Sequence, residues 1–292
     1  MTAHPTHLEA SHRCGAGLVL HASSAGYAAH SEGGALSIKT MRGGAAHYTL
    51  GRARLRVDDD HYALLQDGQP YAVEVAPDTE SFCLFFDPGA TRGLWQLART
   101  RPDALLDLPE LPPAPDFIQR SHPHDGLLSP LLNTLRAGNL GGRWTTDEWD
   151  DHLLRVLTRL YALHTAALTE AARLPAARPA TRLELARRLY RARDFMEAGL
   201  HEPLPLERVA EIAHLSPYHF HRAFRDLFRE TPAQYVTRRR LETARHLLRT
   251  TALSVLDISL AVGFQTPEAF STLFRRRTGQ TPSAWRGATP QD

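Results

Sequence analysis

The chain has little cysteine: Cys14 and Cys83 are its only thiols in 292 residues. Two cysteines cannot build the disulfide framework of a small secreted fold. No apolar run approaches the ~18 residues that a membrane helix requires, so no membrane partner is expected. The opening segment MTAHPTHLEASHRC has neither a basic start nor an adjacent apolar core, so a secretory leader is not expected. Together these point to a reducing, cytoplasmic setting. Several catalytic signatures are also missing. There is no His-Glu-x-x-His, no Gly-x-Ser-x-Gly, no phosphate-binding Gly-Lys-Ser/Thr and no Gly-x-Gly-x-x-Gly, so no motif points to the chemistries those patterns serve. His47 and His61 lie on or near candidate strands without a His-x-His and following Glu. His122 and His124, in SHPHDG (121–126), supply too few ligands for a metal site. No catalytic residue, metal or cofactor is assigned, and an enzyme is not expected.

Lysine is nearly absent as well. Of 34 basic residues, Lys39 alone is a lysine. Residues 181–292 hold 18 Arg and 12 acidic residues, a balance of +6, which leaves 16 basic and 20 acidic residues, or −4, for residues 1–180. The planar, five-donor guanidinium suits phosphate oxygens and the guanine edge. A chain of this length suits two domains.

From about residue 36 the pattern has period two. HYTL, ARLRV, YALLQ, YAVEVA and SFCLFF read as short strands, with Asp67-Gly68 as a hairpin turn. Closely spaced strands without helices suggest a small antiparallel barrel or sandwich. The first twenty-odd residues, rich in His, Ala and Ser, are expected to be loose. Pro-rich LPELPPAPD (108–116) ends the strand region. From Thr146 to Leu168 the period becomes helical, with Trp149, Leu153, Val156, Leu157, Leu160, Tyr161 and His164 on one stripe and Thr145 or Thr146 as cap. ARLPAARPAT (172–181) reads as a linker, and everything after it as helix. The expected division is a domain over 1–170, a linker over 171–181 and a second domain over 182–292.

The second domain repeats itself. Pro217, Phe220, Phe224, Arg225, Thr231 and Pro232 recur as Pro267, Phe270, Phe274, Arg275, Thr281 and Pro282, at an offset of 50. Over the preceding short helix an offset of 49 fits better, so the second turn is one residue longer, and Gly263 suits it. Each unit is a short helix, a tight turn and a second helix, a geometry whose second helix can enter a major groove. The phenylalanines, four apart, face inward. Outward lie Tyr218, His221, Arg222 and Arg225 in the first copy. Glu268, Ser271, Thr272, Arg275 and Arg276 are outward in the second. These nine are the candidate DNA contacts. The helix between the copies, Pro232 to Arg249, spans about 27 Å at ~1.5 Å per residue, while successive major grooves on one face of DNA lie about 34 Å apart. Arg238-Arg239-Arg240 reads either as a solvated face or as a cluster with acidic neighbours inside the domain. A helical array that binds protein is the competing reading of the repeat.

LERVAEIAHLSPYHFHRAFRDLFRETPAQYVTRRRLETARHLL and ISLAVGFQTPEAFSTLFRRRTGQTPSAWR resemble the AraC/XylS family of bacterial transcription regulators, over roughly residues 182–288. The resemblance implies two helix-turn-helix units on one face of double-stranded promoter DNA, with Tyr218, His221 and Arg222 where first-unit base contacts lie. It also implies a homodimer and RNA polymerase as a partner. The chain departs from the family pattern at Arg229, where Gly is usual before the first Thr-Pro, and at His214, Ser259 and Thr272. The first unit is therefore expected to carry more of the sequence discrimination. The first half, more distantly, is similar to the family's cupin-like sensor, which implies a small-molecule effector. An eight-strand barrel can hold one small ligand; Tyr48, Tyr62, Tyr71, Phe82 and Phe86 are the candidate lining. The implied fold is α+β in two domains: an antiparallel, cupin-like β-barrel with a helical dimerisation segment at 146–168, then an all-α domain with two helix-turn-helix units. The alternatives are a metal-dependent cupin enzyme fused to a DNA-binding domain, and a constitutive regulator whose barrel is filled.

Overall fold

The computed structural model describes residues 6–51, 53–97, 117, 120–124, 126–142, 144–175 and 178–287; the Pro-rich 108–116 stretch lies outside them. The chain separates into two units, Met1–Asp194 and Phe195–Asp292. The first contains β1 (Thr6–Cys14), β2 (Gly17–Ser31), β3 (Ser37–Arg42), β4 (Ala46–Leu50), β5 (Ala53–Val57), β6 (His61–Leu65), β7 (Tyr71–Phe86), helix α1 (Pro88–Leu97), β8 (Arg120–Pro123), and helices α2 (Ser129–Gly141) and α3 (Thr146–Ala171). The division falls inside helix α4 (Pro179–Ala198), C-terminal to the segment expected as a linker.

The strands form one antiparallel sheet in the order β1-β2-β7-β3-β6-β8, with β4 on β7 and β5 on β4. YAVEVA and SFCLFF, expected as two strands, are one 16-residue strand, β7. Its first half pairs with β4, Val73 opposite Tyr48; its second half pairs with β3, Cys83 opposite Lys39. Between them the register of β2 against β7 shifts after Ser24, and Asp78 takes φ 56°. A bulge of this kind bends a strand and increases its twist. Asp67-Gly68 does form a turn, with Gly68 at φ 71°, but not a hairpin. The strands it joins, β6 and β7, sit on opposite edges of β3.

The largest departure from expectation is at the start. The first twenty-odd residues, expected as loose, belong to the strands over 6–14 and 17–31, and β2 pairs along β7 from Gly17–Phe86 to Ser31–Tyr71. Ala, Ser, Gly and His have little strand preference of their own. Pairing with a long Val- and Phe-bearing partner overrides it, since strand preference is mostly a matter of neighbours.

Strand parity then separates two cores. Even-numbered Ile38, Tyr62, Leu64, Phe82, Leu84 and Phe86 pack with Trp95, Leu132, Trp149, Leu153 and Leu157 of the helices. On the other side Met41, Tyr48, Leu55, Leu65, Val73 and Val75 form a second cluster, flanked by Tyr27 and Tyr71. Thr145 caps α3 through a reciprocal capping box with Glu148. The apolar stripe of α3, Trp149 to Tyr161, is spent on its own core, so a dimer through 146–168 has only the outer face of that helix to use. Among the described residues no helix is long and apolar enough to cross a membrane.

Candidate nucleic-acid interface

The second unit continues from the end of α4 with α5 (Leu206–Ile212), α6 (Pro217–Phe228), α7 (Pro232–Thr250), α8 (Val255–Ala261), α9 (Pro267–Thr278) and α10 (Pro282–Gly287). The repeated sequence becomes repeated geometry. Ser216 and Thr266 each accept a hydrogen bond from the backbone N–H three residues on, and Pro217 and Pro267 sit at first helical positions, where no N–H is missed. Phe220–Phe224 and Phe270–Phe274 both have ring centroids 5.4 Å apart, and all four rings are fully buried. In the turns, the Leu215 N–H bonds Ala210 O at 3.0 Å and the Phe264 N–H bonds Ser259 O at 2.9 Å. Those pairs keep the 49-residue offset, whereas the caps keep 50. The inserted residue is therefore Gln265, exposed just before the Thr266 cap. The sequence reading placed the extra residue in this turn but passed over Gln265; the change of offset between Phe264 and Thr266 marks it.

Both copies need left-handed backbone at two equivalent places. The turn uses His214 (φ 51°) and Gly263 (φ 84°); the C-cap of the second helix uses Arg229 (φ 63°) and Gly279 (φ 78°). The first copy thus carries both positions without glycine, at a steric cost of about 1–2 kcal/mol each. Arg229 shares a depression of about 480 Å³ with Arg245 and Arg277. Arg229→Gly should leave stability unchanged or raise it by up to about 1 kcal/mol, because relief of strain exceeds the added unfolded-state freedom. It should also weaken DNA binding and lower the salt slope by about one unit. Urea titration and a salt series of binding curves measure the two effects.

The candidate contacts are solvent-facing. On α6, Tyr218 (72% exposed), Arg222 and Arg225 are exposed and His221 is half-buried. On α9, Glu268, Thr272, Arg275 and Arg276 are exposed and Ser271 is half-buried. Each set lies along the outer side of one helix, opposite its phenylalanines. The helix between the copies, α7, has 19 residues, about 28 Å at ~1.5 Å per residue. All three arginines of the triplet bond to groups of the same unit, Arg238 at its surface and Arg239 and Arg240 half-buried. Arg238 bonds Glu230 at 2.7 Å and Glu242 at 3.0 Å; Arg239 bonds Glu197 at 2.8 Å; Arg240 donates to the carbonyls of Leu200 and Glu202, both at 2.8 Å.

In the first unit the five candidate lining residues divide. Tyr62, Phe82 and Phe86 are wholly buried in the helix-side core. Tyr48 and Tyr71, with ring centroids 5.5 Å apart, belong to the opposite cluster. His122 stacks on Tyr62 at 4.9 Å, His124 Nδ1 lies 2.9 Å from Ser129 Oγ, and His61 pairs with Asp58. Among the described residues no group of three His, Cys, Asp or Glu side chains could hold a metal ion.

The sequence model of a family described as "Helix-turn-helix domain" matches residues 209–288. The chain is 37% identical over 93 residues to the bifunctional transcriptional activator/DNA repair enzyme AdaA of Bacillus subtilis, covering 32% of this chain and 44% of AdaA. It is 38% identical over 104 residues to the HTH-type transcriptional regulator CdhR of Pseudomonas aeruginosa, covering 36% of this chain and 31% of CdhR. The chain thus spans less than half the length of either relative. A solved transcriptional regulator with an AraC-type DNA-binding domain, from Chromobacterium violaceum, is 33% identical over 36% of this chain and 95% of that one, with a TM-score of 0.34. The regulatory protein SoxS of Salmonella typhimurium is 32% identical over 93 residues, which cover 32% of this chain and 87% of SoxS. A match that takes in nearly the whole of SoxS, beside a helix-turn-helix model over residues 209–288, establishes that the chain belongs to the AraC/XylS family.

Proposed function

We propose that the chain is a sequence-specific DNA-binding transcription regulator. The observation that carries this reading is the duplicated helix-turn-helix, with identical phenylalanine packing and different outward faces. Packing that repeats while the outer residues change is what two groove-reading helices require. In this reading α6 and α9 enter successive major grooves of promoter DNA. Tyr218, His221, Arg222 and Arg225 act in the first; Glu268, Ser271, Thr272, Arg275, Arg276 and the exposed Gln265 act in the second. Arg toward the end of each helix meets phosphate; residues nearer its start meet base edges. The names of AdaA, CdhR and SoxS, each a regulator, support the same assignment.

The β-rich unit is the sensor in this proposal, a cupin-like domain over residues 1–170 joined through 171–181 to a DNA-binding domain over 182–292. An effector bound there shifts the protein between two arrangements that it binds unequally. One structural link supports this. Lys39, Ala63 and Ser121 are in register across β3, β6 and β8, and the Ser121 N–H and hydroxyl both donate to Asp194 at 3.1 Å. Asp194 is fully buried on α4, the helix that leads into the DNA-binding part. Two copies pair through the outer side of α3, where an apolar groove of about 650 Å³ runs beside Leu94, Leu97, Ala162 and Leu168. Pairing raises apparent affinity on tandem sites by effective concentration, and RNA polymerase is the partner at the promoter.

The test is Arg222→Ala in the full chain, measured against a library of single-base variants of a bound site. Loss of about 1–3 kcal/mol of discrimination at one position is expected. Equal weakening on all sequences would make Arg222 a phosphate contact, and no site-specific binding by the unaltered protein at any salt would refute the assignment.

A further inference from the structure

The chain's only lysine lies in the middle of β3 and is 2% exposed. Its ammonium stands 3.7 Å from the Phe85 ring centroid and 5.7 Å from that of Tyr71. Among the described residues it has no hydrogen-bond or ion-pair partner. A buried ammonium without an anion is costly, and burial pushes its pKa down. The polar groups near it share one property. Cys83 is directly opposite in the ladder, and Tyr27, Tyr48 and Tyr71 flank the same cluster. Burial raises the pKa of the Cys83 thiol and of all three phenols, so each is held as a protonated donor. Part of this side is also accessible. Cys83 and Phe85 are only half-buried, although β7 is paired on both edges and its even-numbered side is packed against helices. Their accessible surface must therefore lie on the Lys39 side.

We propose that this side of the sheet, around Lys39, binds a small organic carboxylate with an apolar body, whose carboxylate takes the place of the missing counter-ion of Lys39. A buried cation with phenols and a thiol beside its cluster, and no carboxylate bonded to it among the described residues, recognises an anion. The Tyr48 hydroxyl, which has no hydrogen-bond partner among the described residues, supplies a second donor. The Met41, Leu55, Val73 and Val75 side chains of the same cluster receive the apolar body. The regulatory meaning of such binding rests on the sensor reading above; the binding itself does not.

The experiment is calorimetric titration of the full chain, without DNA, with sodium phenylacetate and sodium hexanoate. Phenylacetamide and hexanamide serve as neutral probes of the same shape. At least one acid should bind about tenfold or more tightly than its amide, as loss of a charge-assisted hydrogen bond implies. Lys39→Met should abolish that preference, and Tyr48→Phe, which keeps the cation, should weaken it. Equal binding of acid and amide, no binding by either acid, or a preference that survives Lys39→Met would overturn the proposal. Should Lys39→Met fail to fold, the acid-to-amide comparison and Tyr48→Phe still decide. Because no DNA is present, failure here leaves the DNA-binding assignment standing, and loss of that assignment leaves this result standing.

Discussion

Gly263→Ala should cost about 2–5 kcal/mol of stability, a large share of what keeps a domain folded. Two effects combine. At φ 84° a side chain pays the left-handed penalty of about 1–2 kcal/mol. A Cβ there would also lie 2.5 Å from the Leu200 carbonyl oxygen and 2.8 Å from Arg240 Nη2. The first is backbone and cannot swing aside; the second is fixed by its bonds to Leu200 and Glu202. Forced contacts of this kind add about 1–3 kcal/mol. Gly279→Ala is the control. Its φ is similar, at 78°, but nothing lies within 4 Å of the added carbon, so it should cost only about 1–2 kcal/mol. Urea titration of both variants separates backbone strain from the clash. Equal costs would mean that the Leu200–Arg240 contact is not what constrains the turn.

Arg239→Met should be at least as damaging, at about 3–5 kcal/mol, because it removes the guanidinium paired with a buried carboxylate. The Glu197 side chain is 6% exposed and the Arg239 Nε bond to it is 2.8 Å long. The Tyr235 hydroxyl also donates to Glu197, yet a neutral donor cannot replace the guanidinium. Arg239→Met with Glu197→Leu should recover at least half of the loss, since apolar replacement of a whole buried pair is often neutral or better. The pair of thermal unfolding curves measures this. A double variant no more stable than the single one would show that the pair's geometry, not the orphaned charge, sets the cost.

These two sites show where the sequence was legible and where it was not. Every position with a counterpart 49 or 50 residues away could be read directly, because one packing solution occurs twice. The phenylalanine pairs, the cap-and-proline starts and the left-handed turn at Gly263 are of this kind. The arginine triplet could not be resolved, because Arg238 pairs locally with Glu230 and Glu242, while Arg239 and Arg240 reach Glu197, Leu200 and Glu202 about forty residues earlier. In the first unit, alternation identified β4, β5 and β6 but did not say which face was which. All five residues of β6 are buried, and a strand covered on both sides loses the polar half of its pattern. That is why Tyr62, Phe82 and Phe86 were grouped with Tyr48 and Tyr71 though they face the opposite way. Residues 6–31 carried too little strand preference to be seen without β7. Lys39 stood out in composition alone; its burial gave it meaning.

The most direct measurement is selection of bound sites from random duplex DNA by the full chain, followed by hydroxyl-radical footprinting. Helices α6 and α9, held at the two ends of a 19-residue helix, should select sites with two informative blocks centred about 10 base pairs apart. Arg222→Ala should degrade the block read by α6 and spare the other. Sites with a single block, or two blocks that fail together when Arg222 is removed, would contradict reading by two independent helices in successive grooves.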